Sequence, residues 1–207
     1  MNILILGASG RVGTELAKLA LQDGHIVTAL VRNRVKLHIP EQDNLRIHTG
    51  NVLEGDSLTK ALTRQDVVFS TLSTDKNDVL SRSIPMIINE MERLGIERLI
   101  TIGTAGILQA RSEPHLYRFQ SNESKRKSTT AAEDHLHAFE ALKRSPINWT
   151  VFCPTYLPDG EATGNIRYEL DVLPEDGFRI TVGDTALFTY ENWDRSEFFR
   201  RRVGLAE

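Results

Sequence analysis

Asn2-Ile3-Leu4-Ile5-Leu6 is an apolar run that breaks at once into Gly7-Ala8-Ser9-Gly10-Arg11-Val12-Gly13, after which apolar side chains return at helical spacing at Val12, Leu16, Leu19 and Ala20. A buried strand, a glycine turn and a helix in direct succession restrict the fold to βα units. Three glycines also restrict what the turn can do. Glycine lets the backbone reverse tightly and lets an anion approach without meeting a Cβ, while free N–H groups and the dipole of the following helix supply positive potential. Gly7, Ser9, Gly10, Arg11, Val12 and Gly13 are therefore candidate phosphate-cradle residues. The spacing is GxxGxxG, not GxGxxG, so a tight turn with no ligand stands as the competing reading.

The rest of the chain keeps the same rhythm. The first helix ends near Asp23-Gly24, and 25–31 is a second β-branched, apolar strand. Residues 45–52 read as a short third strand, 57–64 as a helix, 66–72 as a fourth strand and 77–94 as a long helix, interrupted by Pro85 and closed at Gly95. A fifth strand, 98–102, ends in Gly103-Thr104-Ala105-Gly106; 131–144 is a helix and 149–153 a sixth strand. Strands alternating with helices predict an α/β fold, a Rossmann-type doubly wound parallel sheet with helices on both faces. One domain over 1–207 is expected, with 1–153 as its core and 154–207 as a small C-terminal segment. In that segment 165–170 and 177–182 read as strands, Asp184 as the cap of a helix through Asn192, and 202–205 as a final strand.

In open parallel sheets ligands collect at the carboxyl ends of the strands, which brings in Thr71, Leu72 and Ser73 after the fourth. The residue just past the second strand of such a unit meets the adenosine ribose of a dinucleotide, where an acidic side chain selects a free 2′-hydroxyl. Here the first acidic residue is Glu41; Arg32 holds the spot, with Arg34 and Lys36 close by and Arg11 on the glycine turn. Guanidinium groups grip a phosphate with paired donors, so the cluster predicts NADP(H) in preference to NAD(H). The alternative for Arg32 is a solvated charge in a loop. The C-terminal segment is then expected to wall the nicotinamide.

Other classes recede. A net charge of −3 offers no global basic field for nucleic acid or an anionic membrane. A single cysteine, Cys153, excludes an internal disulfide and cysteine-rich metal sites. His135 and His137 lie two apart on a helix and face different ways, against a shared metal. No apolar run approaches the roughly 20 residues of a membrane span, and the N-terminal run, without a basic leader, reads as a core strand, so a soluble, cytoplasmic protein is expected. Ser9 lies in Gly-Ala-Ser-Gly, not GxSxG, which gives hydrolase chemistry little support. Between Gln109 and Thr130 the periodicity breaks into a polar stretch with His115 and Lys125-Arg126-Lys127, a solvated face or a lid over an anionic substrate.

Together these residues resemble the atypical short-chain dehydrogenase/reductase superfamily, and within it the NAD(P)-binding group of flavin reductase/biliverdin reductase B-like and NmrA-like proteins. The turn from Gly7 to Gly13 is similar to that group's GATGxxG, and Arg32 stands where NADP-binding members carry arginine. Asn51-Val52 falls where the group has Asp-Val against the adenine, and the asparagine loosens that contact. Asn148-Trp149-Thr150-Val151 followed by Pro154 resembles its DWT-hydrophobic run before a proline. Residues 180–184 and 202–206 resemble its ending, so the likeness covers nearly the whole chain. It implies NADP as cofactor, NADPH preferred over NADH, with contacts at Asn51, Val52 and Pro154. It also implies Thr104 as a catalytic hydroxyl beside the nicotinamide, against the plainer role of satisfying a strand-end carbonyl. Thr155 and Tyr156, at the sixth strand's end, either line a substrate pocket or pack on the tail.

The superfamily's Tyr-x-x-x-Lys pair is missing: Tyr117 is followed at the fourth place by Ser121. Without it no ready acid protonates an alkoxide. Flavins and quinones take hydride and draw protons from solvent, so the resemblance implies a reductase of a small conjugated electron acceptor. Its alternative is an NmrA-like redox sensor that binds NADP(H) without turnover and signals to a protein partner. A nucleotide-sugar epimerase or dehydratase shares the opening motif but relies on the missing tyrosine.

Overall fold

In the first strand, β1 (Asn2–Leu6), every side chain from Ile3 to Leu6 is buried, as a central parallel strand covered on both faces requires. Alternation sorts these side chains between two cores. Leu4 and Leu6 join one cluster, Ile3 and Ile5 the other. The computed structural model that shows this describes residues 1–75, 78–124 and 128–207. The basic triplet 125–127 and the expected helix start at Asn77 lie outside the described residues.

The elements follow as α1 (Arg11–Gln22), β2 (Ile26–Val31), β3 (Leu45–Thr49), α2 (Gly55–Leu62), β4 (Val67–Ser70), α3 (Val79–Leu94), β5 (Arg98–Ile102), α4 (Thr130–Arg144), β6 (Asn148–Pro154), β7 (Arg167–Leu170), α5 (Val182–Asn192) and β8 (Arg201–Ala206). They build one α/β domain around an eight-stranded sheet ordered β3-β2-β1-β4-β5-β6-β8-β7, parallel except for β7, which runs antiparallel to β8 at the edge. One face is covered by α1 and α5, through Leu16, Ala20, Ala186 and Phe188. The other is covered by α2, α3 and α4, through Leu58, Ile84, Ile87 and Phe139. From β1 the chain winds outward to β2 and β3, then returns to β4 and winds the other way. The carboxyl ends of β1 and β4 therefore diverge into a crevice, the place where such sheets take ligands. Among the described residues no helix is long and apolar enough to cross a membrane.

Several elements depart from expectation. α3 runs through Pro85 without stopping. The backbone hydrogen bond lost there is outweighed by the buried stripe of Ile84, Ile87, Ile88 and Met91 on either side. No strand forms over 177–182: Arg179 makes a single bridge to Tyr156, and Ile180 and Val182 are both drawn under the α1 and α5 layer instead of alternating in a sheet. α5 is capped by Thr181, whose Oγ1 accepts the Asp184 amide at 3.0 Å. Asp184 is fully buried in the first turn, and its carboxylate accepts the amides of Thr163 and Gly164 at 2.7 and 2.8 Å. It ties the β6–β7 loop to α5. The C-terminal segment completes the sheet more than it walls a ligand.

Candidate functional site

The three glycines of the turn meet three different demands. Gly7 has φ +83°, a left-handed conformation that any side chain would strain, and a Cβ there would lie 2.9 Å from the Thr71 carbonyl. Gly13 sits where α1 crosses the strand ends: a Cβ would lie 2.3 Å from the Gly7 oxygen and 2.5 Å from Thr71 Oγ1. Thr71 Oγ1 itself donates to the Leu6 carbonyl at 2.9 Å, locking the turn to the end of β4. Gly10 is different. Its backbone is ordinary extended chain (φ −81°, ψ 167°), and a Cβ would meet only the Gly7 oxygen, at 3.1 Å. It heads α1, and no side chain caps that helix there. The first-turn amides of a twelve-residue helix thus face the crevice with open space above Gly10, the arrangement a pyrophosphate needs.

The crevice is a cleft of about 580 Å³ along the carboxyl ends of β2, β1, β4 and β5. Gly7, Ser9, Gly10, Arg11 and Val12 line its middle; Arg32, Lys36, Asn51 and Val52 its β2 side; Thr71, Leu72, Ser73, Ile102 and Gly103 its β4–β5 side. The structure therefore brings nearly all of the expected cofactor residues to one wall. Gly13 supports that wall from beneath. Asn51 turns its side-chain oxygen onto the Leu53 amide at 3.1 Å, holding the bend after β3.

The cations do not converge as expected. Arg11 reaches across the cleft mouth to the Asp159 carboxylate at 2.8 Å and the Leu157 carbonyl at 2.9 Å, on the loop after β6. Arg32 pairs with Asp75 on the loop after β4 at 2.7 Å. Arg34 turns away to Glu41. Arg32 and Lys36 remain together at the β2 end, where an adenosine ribose lies in this class of sheet.

Other expected residues stand outside the cleft. Thr104 is buried and caps a short 3₁₀ turn, its Oγ1 accepting the Gly106 amide at 3.3 Å. Pro154 is buried at the end of β6, while Thr155 contacts the Phe178 carbonyl and exposed Tyr156 bridges to Arg179. Neither lines the cleft among its described residues, whereas the next residue, Leu157, does. His115 is exposed, and the described part of the 109–130 stretch folds back on itself through a Gln109–Tyr117 bridge and Glu123 on Ser112. Tyr117 donates to Glu140 at 2.9 Å, behind α4. Cys153 is buried, and that burial pushes its thiol up to about 12, so it is no nucleophile at neutral pH.

The lining also holds residues with no expected role in the site, among them Asp75, Val79 and His135. His135 is legible in the sequence as part of a helical stripe with Ala138, Phe139 and Leu142, which turns the imidazole toward the sheet and the end of β5.

A family model described as NAD(P)H-binding matches residues 7–194. The chain belongs to the NAD(P)H-binding family. That membership gives the protein a ligand class, a nicotinamide dinucleotide. The chain is 26% identical over 210 residues to the photosystem II assembly factor Ycf39 of Cyanophora paradoxa, and it spans 60% of that protein's length. Among solved structures, ChuY, an anaerobillin reductase from Escherichia coli, shares the fold with a TM-score of 0.82 at 23% identity, covering 100% of this chain and 97% of that one. A short-chain dehydrogenase/reductase from Veillonella parvula in complex with NADP has a TM-score of 0.75 at 22% identity, covering 100% of this chain and 94% of that one. These likenesses establish a Rossmann-like fold for this member of the NAD(P)H-binding family.

Proposed function

We propose that this member of the NAD(P)H-binding family is an NADPH-dependent oxidoreductase that passes hydride to a flavin, quinone or similar conjugated acceptor. The observation that carries the reading is the asymmetric placement of cations along the cleft. The helix amides at Gly10 lie in its middle, the cations Arg32 and Lys36 only toward the β2 end, and toward β5 the lining is Leu72, Val79, Ile102 and Gly103 with Thr71, Ser73 and His135 and no fixed charge among the described residues. The names of the two structural relatives, one a reductase and one seen with NADP, agree with it.

In this reading the amides around Gly10 hold the pyrophosphate, Arg32 and Lys36 hold the 2′-phosphate, and Asn51 and Val52 bound the adenine. A bound nicotinamide supplies the hydride. Leu72, Val79 and Ile102 keep water from the reacting face and orient the ring, so that positioning contributes to catalysis. None of the four tyrosines lines the cleft among its described residues, which argues against ordinary alcohol or ketone chemistry.

Steady-state NADPH oxidation with FMN, menadione and a redox dye tests the proposal. Turnover with at least one acceptor, and slower turnover with NADH, supports it. Tight NADPH binding with no oxidation across the panel would instead support an NADP(H) sensor acting on a protein partner.

A further inference from the structure

We infer that His135 is the proton donor of the reaction, occupying by way of α4 the role for which the chain carries no Tyr-x-x-x-Lys pair. The inference rests on the reductase reading above and narrows its substrate class to acceptors that become anionic at an oxygen or nitrogen once hydride has arrived.

Position is the first argument. Among the described lining residues the titratable ones are Arg11, Arg32, Lys36, Asp75 and His135. Arg11 is committed to Asp159 at the mouth, and Arg32 and Asp75 to each other at the adenosine end. His135 sits at the opposite end, beside Ile102 and Gly103 of β5, where the nicotinamide half of a dinucleotide lies in a sheet with this switch point. The imidazole thus borders the space left for the acceptor.

Rigidity is the second. The preceding residue, Asp134, is buried and accepts the backbone amides of Leu80 and Ser81 at 3.1 and 2.9 Å. Asp78, which heads α3, makes no side-chain cap of its own, so α4 supplies the cap and is pinned against α3 in one rotational setting. That setting carries His135 toward the cleft. Behind the ring is a cavity with about 10 Å³ of space, bordered by the uncharged Ser70, Thr101, Ile84 and Phe139. Among the described residues, the charged groups on the surrounding elements include Lys36 in the cleft and Glu140 on α4, the latter taken by the Tyr117 hydroxyl. Asp134 is held by the α3 amides, Asp78 and Arg82 on the first turn of α3 face each other at 3.7 Å, and Asp75 on the β4–α3 loop holds Arg32. Glu133 on α4 takes the Thr129 hydroxyl.

The step balances simply. The acceptor gains a hydride, hence two electrons and one hydrogen, from NADPH, which leaves as NADP⁺, and the acceptor is left with one negative charge. Charged His135 breaks a ring N–H bond as an O–H or N–H bond forms on the acceptor. The neutral imidazole then recovers a proton from water.

The test compares wild type with His135→Gln, which keeps a polar, similar-sized group on an intact helix. NADPH binding, followed by fluorescence, should change less than about twofold, whereas kcat with menadione should fall by about a hundredfold or more. In wild type kcat should fall as pH rises through the range in which histidine loses its charge, and in the variant that limb should be flat. An NMR titration supplies a readout independent of turnover: the imidazole signal lost in the variant should move when menadione is added to the wild-type NADP⁺ complex. Unchanged kcat, or a loss of kcat that leaves the pH limb in place, or an imidazole signal indifferent to menadione, overturns the role of His135 while the reductase stands. Absence of turnover in wild type overturns both.

Discussion

Gly10 and Gly13 offer a direct test of the site, because the structure assigns one to ligand space and the other to packing. At position 13 a Cβ would face the Gly7 oxygen at 2.3 Å, Thr71 Oγ1 at 2.5 Å and the Ala8 Cα at 3.0 Å. Two of those neighbours are backbone and the third is held by its bond to Leu6, so α1 must move away from the sheet. Gly13→Ala gains about 1 kcal/mol of helix propensity but overpacks by about 3 kcal/mol, a net loss near 2 kcal/mol. For a domain of this size that is a fall in Tm of about 4–8 °C. At position 10 the only near neighbour is the Gly7 oxygen at 3.1 Å, and the extended backbone accepts a β-branched residue. Gly10→Val should therefore cost about 1 kcal/mol, through the poorer helix cap, and lower Tm by about 2–4 °C. Its methyl groups occupy the space above the α1 amides, so NADPH and NADH should both bind at least about a hundredfold more weakly, some 2.7 kcal/mol. Thermal melts with and without NADPH at a hundred times the wild-type Kd read both effects, since ligand at that level stabilises wild type by about 2.7 kcal/mol. The expected pattern is a cold-shifted Gly13→Ala, and a near-normal Gly10→Val that NADPH no longer stabilises. A Gly10→Val that gains as much from NADPH as wild type would falsify the cradle, and a Gly13→Ala melting with wild type would refute the packing argument.

Three further outcomes are expected. Arg32→Ala should weaken NADPH binding by about 1.5–3 kcal/mol and leave NADH nearly unchanged in a calorimetric titration; equal losses would remove the case for 2′-phosphate selection. Burial alone would raise the Asp184 carboxyl, but hydrogen bonds from the Gly164 amide, the Thr181 hydroxyl and the Thr163 amide and hydroxyl outweigh it and hold the group below the usual carboxylate range. A lowered acid contributes stability that is present above its unfolded-state value and lost as pH falls through its folded one. Asp184→Asn should thus destabilise by about 1–3 kcal/mol at neutral pH, with the gap to wild type closing on acidification; a gap constant with pH would count against the network. Cys153, buried and with its thiol held high, should resist a thiol reagent at pH 8 in native protein and react fully in denaturant, as absorbance would report.

Much of this molecule was legible in the linear chain because its decisive signals are local. The run from Asn2 to Gly13 encodes strand, turn and helix in consecutive residues, and the glycine spacing points to an anion site before any long-range contact is known. Alternation within β1 and the 98–102 run of β5 follow from two-sided burial, a property of each segment's own side chains. What tertiary structure decided was every matter of partnership across the chain. Ile180 and Val182 look like strand residues in isolation, yet a hydrophobic surface is buried equally well under a helix layer, and the α1–α5 layer was nearer. Arg11 and Arg32 look like one phosphate clamp, but Asp159 and Asp75, 148 and 43 residues away, each take one of them as a partner. His135 comes into the site because Asp134 caps a helix 53 residues earlier and so fixes which way α4 turns. Sequence carries what bond geometry and local burial determine; which side chains meet over the crevice depends on packing between segments that no local pattern contains.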